Sequence, residues 1–271
     1  MSDEIRFARD LYRGTAGYYD RYRLSYPPEL ITDLLGRTAP SGHGRLLDLA
    51  CGTGQLAFAL RDRFAEVWAV DQEPDMVEAV AAKATALGDG PRVRPVVAAA
   101  EDLQADPDSF ELAVIGNAFH RLRRAPVARL LLGWLQPGGF LALCSSTGLW
   151  TGSEDWQLAF AGLLQRWREL LSAGRIPANW DQPQRELPDA DLLAGAGFET
   201  MGHFEFGVPH EWTVPELAGY VRSTSFLPPS VLGDHSAAFD AELADTLSPY
   251  EGLTETVSYV YDLARKPLAP T

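Results

Sequence analysis

Cysteine, methionine and histidine are scarce in this chain of 271 residues, at two, three and five copies. Two cysteines, Cys51 and Cys144, cannot build a disulfide framework, and a reducing cytoplasm is the setting they point to. His43, His120, His203, His210 and His235 are spread too widely for a local metal-binding pattern, so no metal is expected. No G-x-S-x-G elbow occurs, which leaves acyl-transfer chemistry without local support. No apolar run approaches a membrane span, and Met1-Ser2-Asp3-Glu4 does not open like a signal peptide. Positive charge is also short: 23 Lys and Arg face 37 Asp and Glu, a net charge of −14. That balance argues against a nucleic-acid surface and against docking on anionic lipid. It suits a cationic small substrate, though solubility explains it equally well. Internal repeats and low-complexity tracts are missing too.

What is present is the composition of a soluble globular enzyme, 46% hydrophobic and 22% charged, long enough for one or two domains. The most informative stretch is Leu46-Leu47-Asp48-Leu49-Ala50-Cys51-Gly52-Thr53-Gly54-Gln55. It reads as an apolar strand, a glycine turn and a helix from about Gln55 to Arg63. Two glycines let the backbone turn tightly and approach a ligand, and the turn leaves amide N–H groups at a helix start. A second apolar run, Val67 to Asp71, ends in an acid about 20 residues after the turn, the interval that places a carboxylate beside ribose hydroxyls.

Asp48-Leu49-Ala50-Cys51-Gly52-Thr53-Gly54 with Asp71 resembles the D-x-x-x-G-x-G signature of class I S-adenosylmethionine-dependent methyltransferases. The dinucleotide pattern G-x-G-x-x-G fits less well, because no phosphate-gripping site is otherwise evident and an acid before the turn is awkward for a pyrophosphate. The resemblance covers residues 40 to 145 well and the remainder more thinly. It implies a donor, S-adenosyl-L-methionine, released as S-adenosyl-L-homocysteine. It further implies a donor site built from Tyr19, Asp48, Ala50, Gly52, Gly54, Asp71, Gln72, Met76, Glu101, Asp102 and Asn117. In it, Asp71 holds the ribose, Asp48 lies near the ammonium group, and Glu101 or Asp102 meets the adenine amine. Ala118-Phe119-His120 matches a family Ala-Phe-His-Trp run, in which Arg121 stands where tryptophan is usual. The Asn/Asp-Pro-Pro-Tyr motif of enzymes acting on nucleic-acid bases is absent.

Alternating apolar runs and helical patterns predict an α/β, Rossmann-like fold. Its mainly parallel seven-stranded sheet would carry an antiparallel last strand over Thr254 to Leu263. One domain is expected over 1–271. Residues 1–40 form an N-terminal cap, 41–145 the cofactor core, 146–188 a helical lid insertion, and 189–271 the rest of the sheet and the substrate pocket. The tyrosines of the cap either fold over the cofactor or cover the sheet edge. In 146–188, Trp156, Phe160, Leu163, Leu164 and Trp167 recur at helical spacing, which fits burial or the wall of an apolar cavity. Gln136-Pro137-Gly138-Gly139 reads as a turn before strand five.

The function expected is methyl transfer to an oxygen or nitrogen of a small secondary metabolite. The acceptor would be contacted by Tyr18, Tyr26, Phe119, Trp150 and Arg222. His120, just past strand four, lies at the ligand end of a parallel sheet and is the candidate general base. It could equally position the acceptor. The alternatives are a cyclisation or other non-methylating reaction on this fold, and a non-catalytic binding subunit. A monomer and a homodimer both fit.

Overall fold

The computed structural model describes residues 7–8, 10–172, 176 and 180–269. Five strands run parallel: β1 (Arg45–Leu49), β2 (Glu66–Asp71), β3 (Val93–Val97), β4 (Phe110–Gly116) and β5 (Leu135–Ser146). Two long strands follow, β6 (Glu199–Trp212) and β7 (Leu253–Arg265). The sheet order is β3-β2-β1-β4-β5-β7-β6, and β7 runs antiparallel to both neighbours. This is the expected mainly parallel, seven-stranded α/β sheet with its antiparallel last strand.

Helices α1 (Ala16–Tyr22) and α2 (Pro28–Thr38) precede β1, and α3 (Gln55–Leu60) and α4 (Pro74–Leu87) follow β1 and β2. Helix α5 (Arg124–Trp134) joins β4 to β5. Between β5 and β6 lie α6 (Asp155–Leu171), α7 (Gln182–Glu186) and α8 (Asp189–Ala196). Between β6 and β7 lie α9 (Val214–Arg222), α10 (Pro229–Leu232) and α11 (Ser236–Leu247).

The strand alternation explains two of the three cores. Successive side chains point to opposite faces, and a parallel sheet covered on both sides buries both sets. Leu46, Leu112 and Val114 thus face α2, α3 and α4 through Leu30, Leu34, Leu56 and Val80. Leu47, Leu49, Ala113 and Ile115 face α5 and α8 through Val127, Leu131, Leu192 and Leu193. A third core stands apart and is helical. Trp156, Phe160, Leu163, Leu164 and Trp167 of α6 pack with Leu217 and Val221 of α9 and Phe239, Leu243 and Leu247 of α11. Two capping boxes fix its helix starts, Glu154 with Gln157 and Thr213 with Glu216.

Several expectations are corrected. Gln136 to Gly139 is no separate turn: β5 runs through it, with Leu135 paired to Phe110 and Phe140 to Leu112. The extra residues bulge, and Gly138, at φ 82°, supplies the left-handed step they need. Of the two readings open for Trp156 and Trp167, burial is the one observed, and both are core residues. Their indole N–H groups are satisfied by Thr254 O at 3.2 Å and Glu242 Oε2 at 2.9 Å. Helix α11 was not anticipated from the sequence.

Candidate active site

The carboxyl ends of β1 to β4 converge on a cavity of about 340 Å³. Its walls come from the turn after β1 (Ala50, Gly52), the end of β2 (Asp71 to Glu73), the start of α4 (Met76), the loop after β3 (Ala98 to Asp102) and the loop after β4. The N-terminal segment closes it with Phe7, Ala8, Leu11, Tyr12 and Tyr19.

Backbone geometry makes this cavity. Ala50, Gly52, Gly54 and Asn117 all lie at positive φ, from 52° to 80°. For the two non-glycine residues this costs roughly 1–3 kcal/mol each, a strain typical of sites where the chain must turn against its preference. A Cβ at Gly52 would come within 3.4 Å of the Tyr19 ring, so a side chain there would narrow the space between turn and cap. The turn is locked from beneath. Gly52 N–H donates to Asp71 Oδ2 at 2.8 Å and Glu73 N–H to Oδ1 at 2.9 Å. Each carboxylate oxygen keeps lone-pair capacity for a ligand. Burial raises the pKa of Asp71 against those backbone bonds, which lower it.

Glu73 is a feature the sequence reading missed. It lines the same cavity, is 3% exposed, and its Oε1 has no partner. Burial and neighbouring Asp75 push its pKa up to about 6. Its place two residues after Asp71 was the available signal.

The expected donor residues divide. Tyr19, Ala50, Gly52, Asp71, Gln72, Met76, Glu101, Asp102 and Asn117 are brought together on the cavity wall. Asp48 and Gly54 are not. The Asp48 carboxyl is buried behind the turn, where it accepts the Ala57 N–H at 2.8 Å, and burial lifts its pKa to about 7. Gly54 starts α3 and lies against Phe58 and Val80.

The expected acceptor residues scatter. Phe119 is a core residue beside Val127. Arg222 is buried and holds Asp240 with two hydrogen bonds at 2.8 and 2.9 Å, plus the Ala218 carbonyl, so its guanidinium is spent on structure. Tyr18 stacks on Tyr22, with centroids 6.1 Å apart. Tyr26 is buried against Tyr259, and its hydroxyl accepts from Asn117 Nδ2 at 3.3 Å. Trp150 packs edge-on against Phe226 beside a separate cavity under α6.

His120 also departs from expectation. It is not part of the cavity wall. Its Nε2 accepts a hydrogen bond from Arg121 Nε at 3.2 Å, and Trp180 covers the ring at 5.1 Å. Burial, then Arg121 and Arg124, push its pKa down to about 3. The near-neutral titration expected of a general base is therefore lost to burial beside two guanidiniums.

Arg23 binds the cap to the helical core. Its guanidinium lies between the Tyr19 and Tyr220 rings, 4.9 and 4.6 Å from their centroids. It donates to Ser223 Oγ at 2.8 Å and Tyr220 Oη at 3.2 Å. The N-terminal segment is thus tied to α9 as well as lining the cavity. Burial pushes the Tyr19 pKa up to about 12, so the phenol stays neutral.

Comparison with known proteins agrees with this architecture. Residues 46–139 match the family model described as a methyltransferase domain. An uncharacterized methyltransferase of Mycobacterium tuberculosis is 35% identical over 136 residues, 50% of this chain and 52% of that protein. The chain thus spans about half the length of the curated relatives it matches. A solved structure from Anaeromyxobacter dehalogenans, described as a candidate type II methyltransferase, superposes with a TM-score of 0.60 at 22% identity. It covers 92% of this chain and 100% of that one. The [4+2]-cyclase SpnF superposes with a TM-score of 0.54 at 21% identity, covering 92% and 84%. At these identities the likeness of the solved structures is one of fold.

Proposed function

We propose that the chain is a class I S-adenosylmethionine-dependent methyltransferase that transfers the methyl group of S-adenosyl-L-methionine to an oxygen or nitrogen of a small metabolite. The observation that carries this reading is the pairing of the left-handed turn at Ala50–Gly52 with Asp71, whose carboxylate is fixed by the turn's own backbone.

The donor set fits this cofactor. Asp71 and Glu73 offer acceptor oxygens in one wall, suited to hydroxyl groups and a nearby positive charge. Met76 supplies an apolar neighbour and the loop at Glu101–Asp102 a polar end for a base. Bound there, S-adenosyl-L-methionine supplies an electrophilic methyl group on a sulfonium. The chain's own work is to hold and align. Asp71 orients the ribose, Tyr19 covers the cavity from the cap, and Phe7, Leu11 and Tyr12 exclude water from its far side. Alignment of this kind supplies several kcal/mol of barrier lowering in general. His120, with its depressed pKa and its nitrogen engaged by Arg121, supports the acceptor loop in this reading and does not take the acceptor's proton.

Calorimetry with S-adenosyl-L-homocysteine tests the donor, with NADH as the control expected not to bind. Release of S-adenosyl-L-homocysteine in the presence of candidate acceptors tests the reaction. Binding without release across metabolites made by neighbouring genes would favour a non-methylating reaction or a binding role.

A further inference from the structure

The loop after β4 places one cation in the cavity wall with an unanswered donor. Arg121 lines the cavity, and its terminal Nη1 is buried without a hydrogen-bond partner. The rest of the guanidinium is anchored. Nε donates to His120 Nε2 at 3.2 Å and Nη2 to Ser225 Oγ at 3.2 Å. Phe7 and Tyr12 lie over it, 5.3 and 5.0 Å from their ring centroids. Among the described residues no carboxylate pairs with it.

A buried N–H donor without a partner is costly, and a half-buried guanidinium held on two edges and by two rings cannot swing out cheaply to find water. The cost persists until something else answers the third edge. An anion answers both the free N–H and the positive charge, and a carboxylate oxygen does so through one charge-assisted hydrogen bond. The surroundings indicate the rest of the ligand. Ala8, Leu11, Ala118 and Leu122 give that side of the cavity an apolar lining. The acids Asp71, Glu73, Glu101 and Asp102 belong to the β2 and β3 loops, where the donor is read.

Resting on the methyl-transfer reading, we propose that Arg121 recognises the acceptor, and that the acceptor is a small carboxylate with an apolar body. The donor also carries a carboxylate, so the shared chemistry has two sources. The acceptor is favoured because the aromatic and hydroxyl contacts of Arg121 (Phe7, Tyr12 and Ser225) lie outside the matched residues 46–139, on elements added around the donor core.

The test is calorimetry on the full chain saturated with S-adenosyl-L-homocysteine, titrated with benzoate, salicylate, cinnamate and octanoate and with the methyl ester of each. At least one acid is expected to bind, and its neutral ester to bind about tenfold or more weakly. Arg121→Gln should abolish that preference and leave the affinity for S-adenosyl-L-homocysteine unchanged. Arg121→Lys, which keeps the charge, should retain part of the preference and guards against reading misfolding as lost recognition. Three results would overturn the proposal: no acid binding, esters binding as well as acids, or a fall in S-adenosyl-L-homocysteine affinity in Arg121→Gln. The last would assign Nη1 to the donor's carboxylate. If S-adenosyl-L-homocysteine fails to bind the unaltered chain, the methyl-transfer reading falls by itself. The comparison of acids with esters is then made on the free protein, where it still decides whether Arg121 reads a carboxylate.

Discussion

The strand tips and the helical core use their polar residues in opposite ways. At the tips of β1 and β2, Asp71 is held by backbone N–H groups on both oxygens and still faces a cavity. In the helical core, Arg222 spends its donors on Asp240 and a carbonyl, and Glu242 takes the Trp167 indole. Both regions bury charge. One leaves capacity open to a ligand and the other closes it. A polar residue near a pocket is thus informative only once its remaining partners are known.

The largest effect should come from separating the two regions. Phe160 is fully buried in the helical core and does not line the cavity at the strand tips. Phe160→Ala should lower stability by about 3–5 kcal/mol, read by chemical denaturation. Affinity for S-adenosyl-L-homocysteine in the fraction still folded should not change. If donor affinity falls in parallel, the regions are coupled, with Arg23 between Tyr19 and Tyr220 as the evident link.

Next in size is the tip itself. A charged acceptor serving two hydroxyls is worth roughly 1.5–3 kcal/mol. Asp71→Ala should therefore weaken S-adenosyl-L-homocysteine by about ten- to a hundredfold. Unchanged calorimetric affinity in a folded variant would remove Asp71 from the donor site and the comparison with it.

Asp48 sharpens the contrast, because it belongs to the tip by sequence and behaves like the closed region. Its raised pKa makes its ionised form a burden on the folded state. The associated stability is present in full below the ordinary aspartate value of 3.8 and is lost as pH rises through about 7. Asparagine can still accept the Ala57 N–H without carrying the charge. Asp48→Asn should thus raise stability at pH 8 by roughly 1–3 kcal/mol, with the gain shrinking as pH falls toward 4. Thermal melts across that range check it, and a variant less stable at pH 8 would show that the charge is needed.

The sheet and the glycine turn are legible in the sequence because backbone rules write them directly. Apolar runs of five to seven residues mark β1 to β4, and positive φ at Gly52 and Gly54 selects glycine. The cavity wall follows, since residues just past parallel strands have few places to go. The surroundings of Arg121 and Arg222 resist reading because they are built by long-range contacts. Nothing near Arg222 in sequence announces Asp240, and nothing near Arg121 announces Phe7 or Ser225. Helix α11 did carry a local sign in the four-residue spacing of Phe239, Leu243 and Leu247, which belongs to one helical face.

The smallest effect is expected at His120, where sequence position and structural environment disagree most. Position favours a base, since the residue lies just past β4. Environment opposes it: the ring is covered by Trp180, its Nε2 is engaged by Arg121, and its pKa is depressed to about 3. An imidazole that stays neutral throughout the working range can accept a hydrogen bond, but it is a poor store for the acceptor's proton. A true base would cost about 10²–10⁴-fold in kcat on removal. His120→Gln keeps an acceptor for Arg121 and should leave kcat close to that of the unaltered chain. Its signature should appear in stability instead. The folded state resists protonating His120, so the stability it contributes is present above the ordinary imidazole pKa of 6.5 and lost as pH falls toward about 3. The glutamine variant should therefore show a shallower loss of stability over that window. A large fall in kcat together with loss of the acidic limb of its pH profile would restore His120 to the chemistry, and would mean that acceptor binding moves Trp180 and Arg121 off the ring.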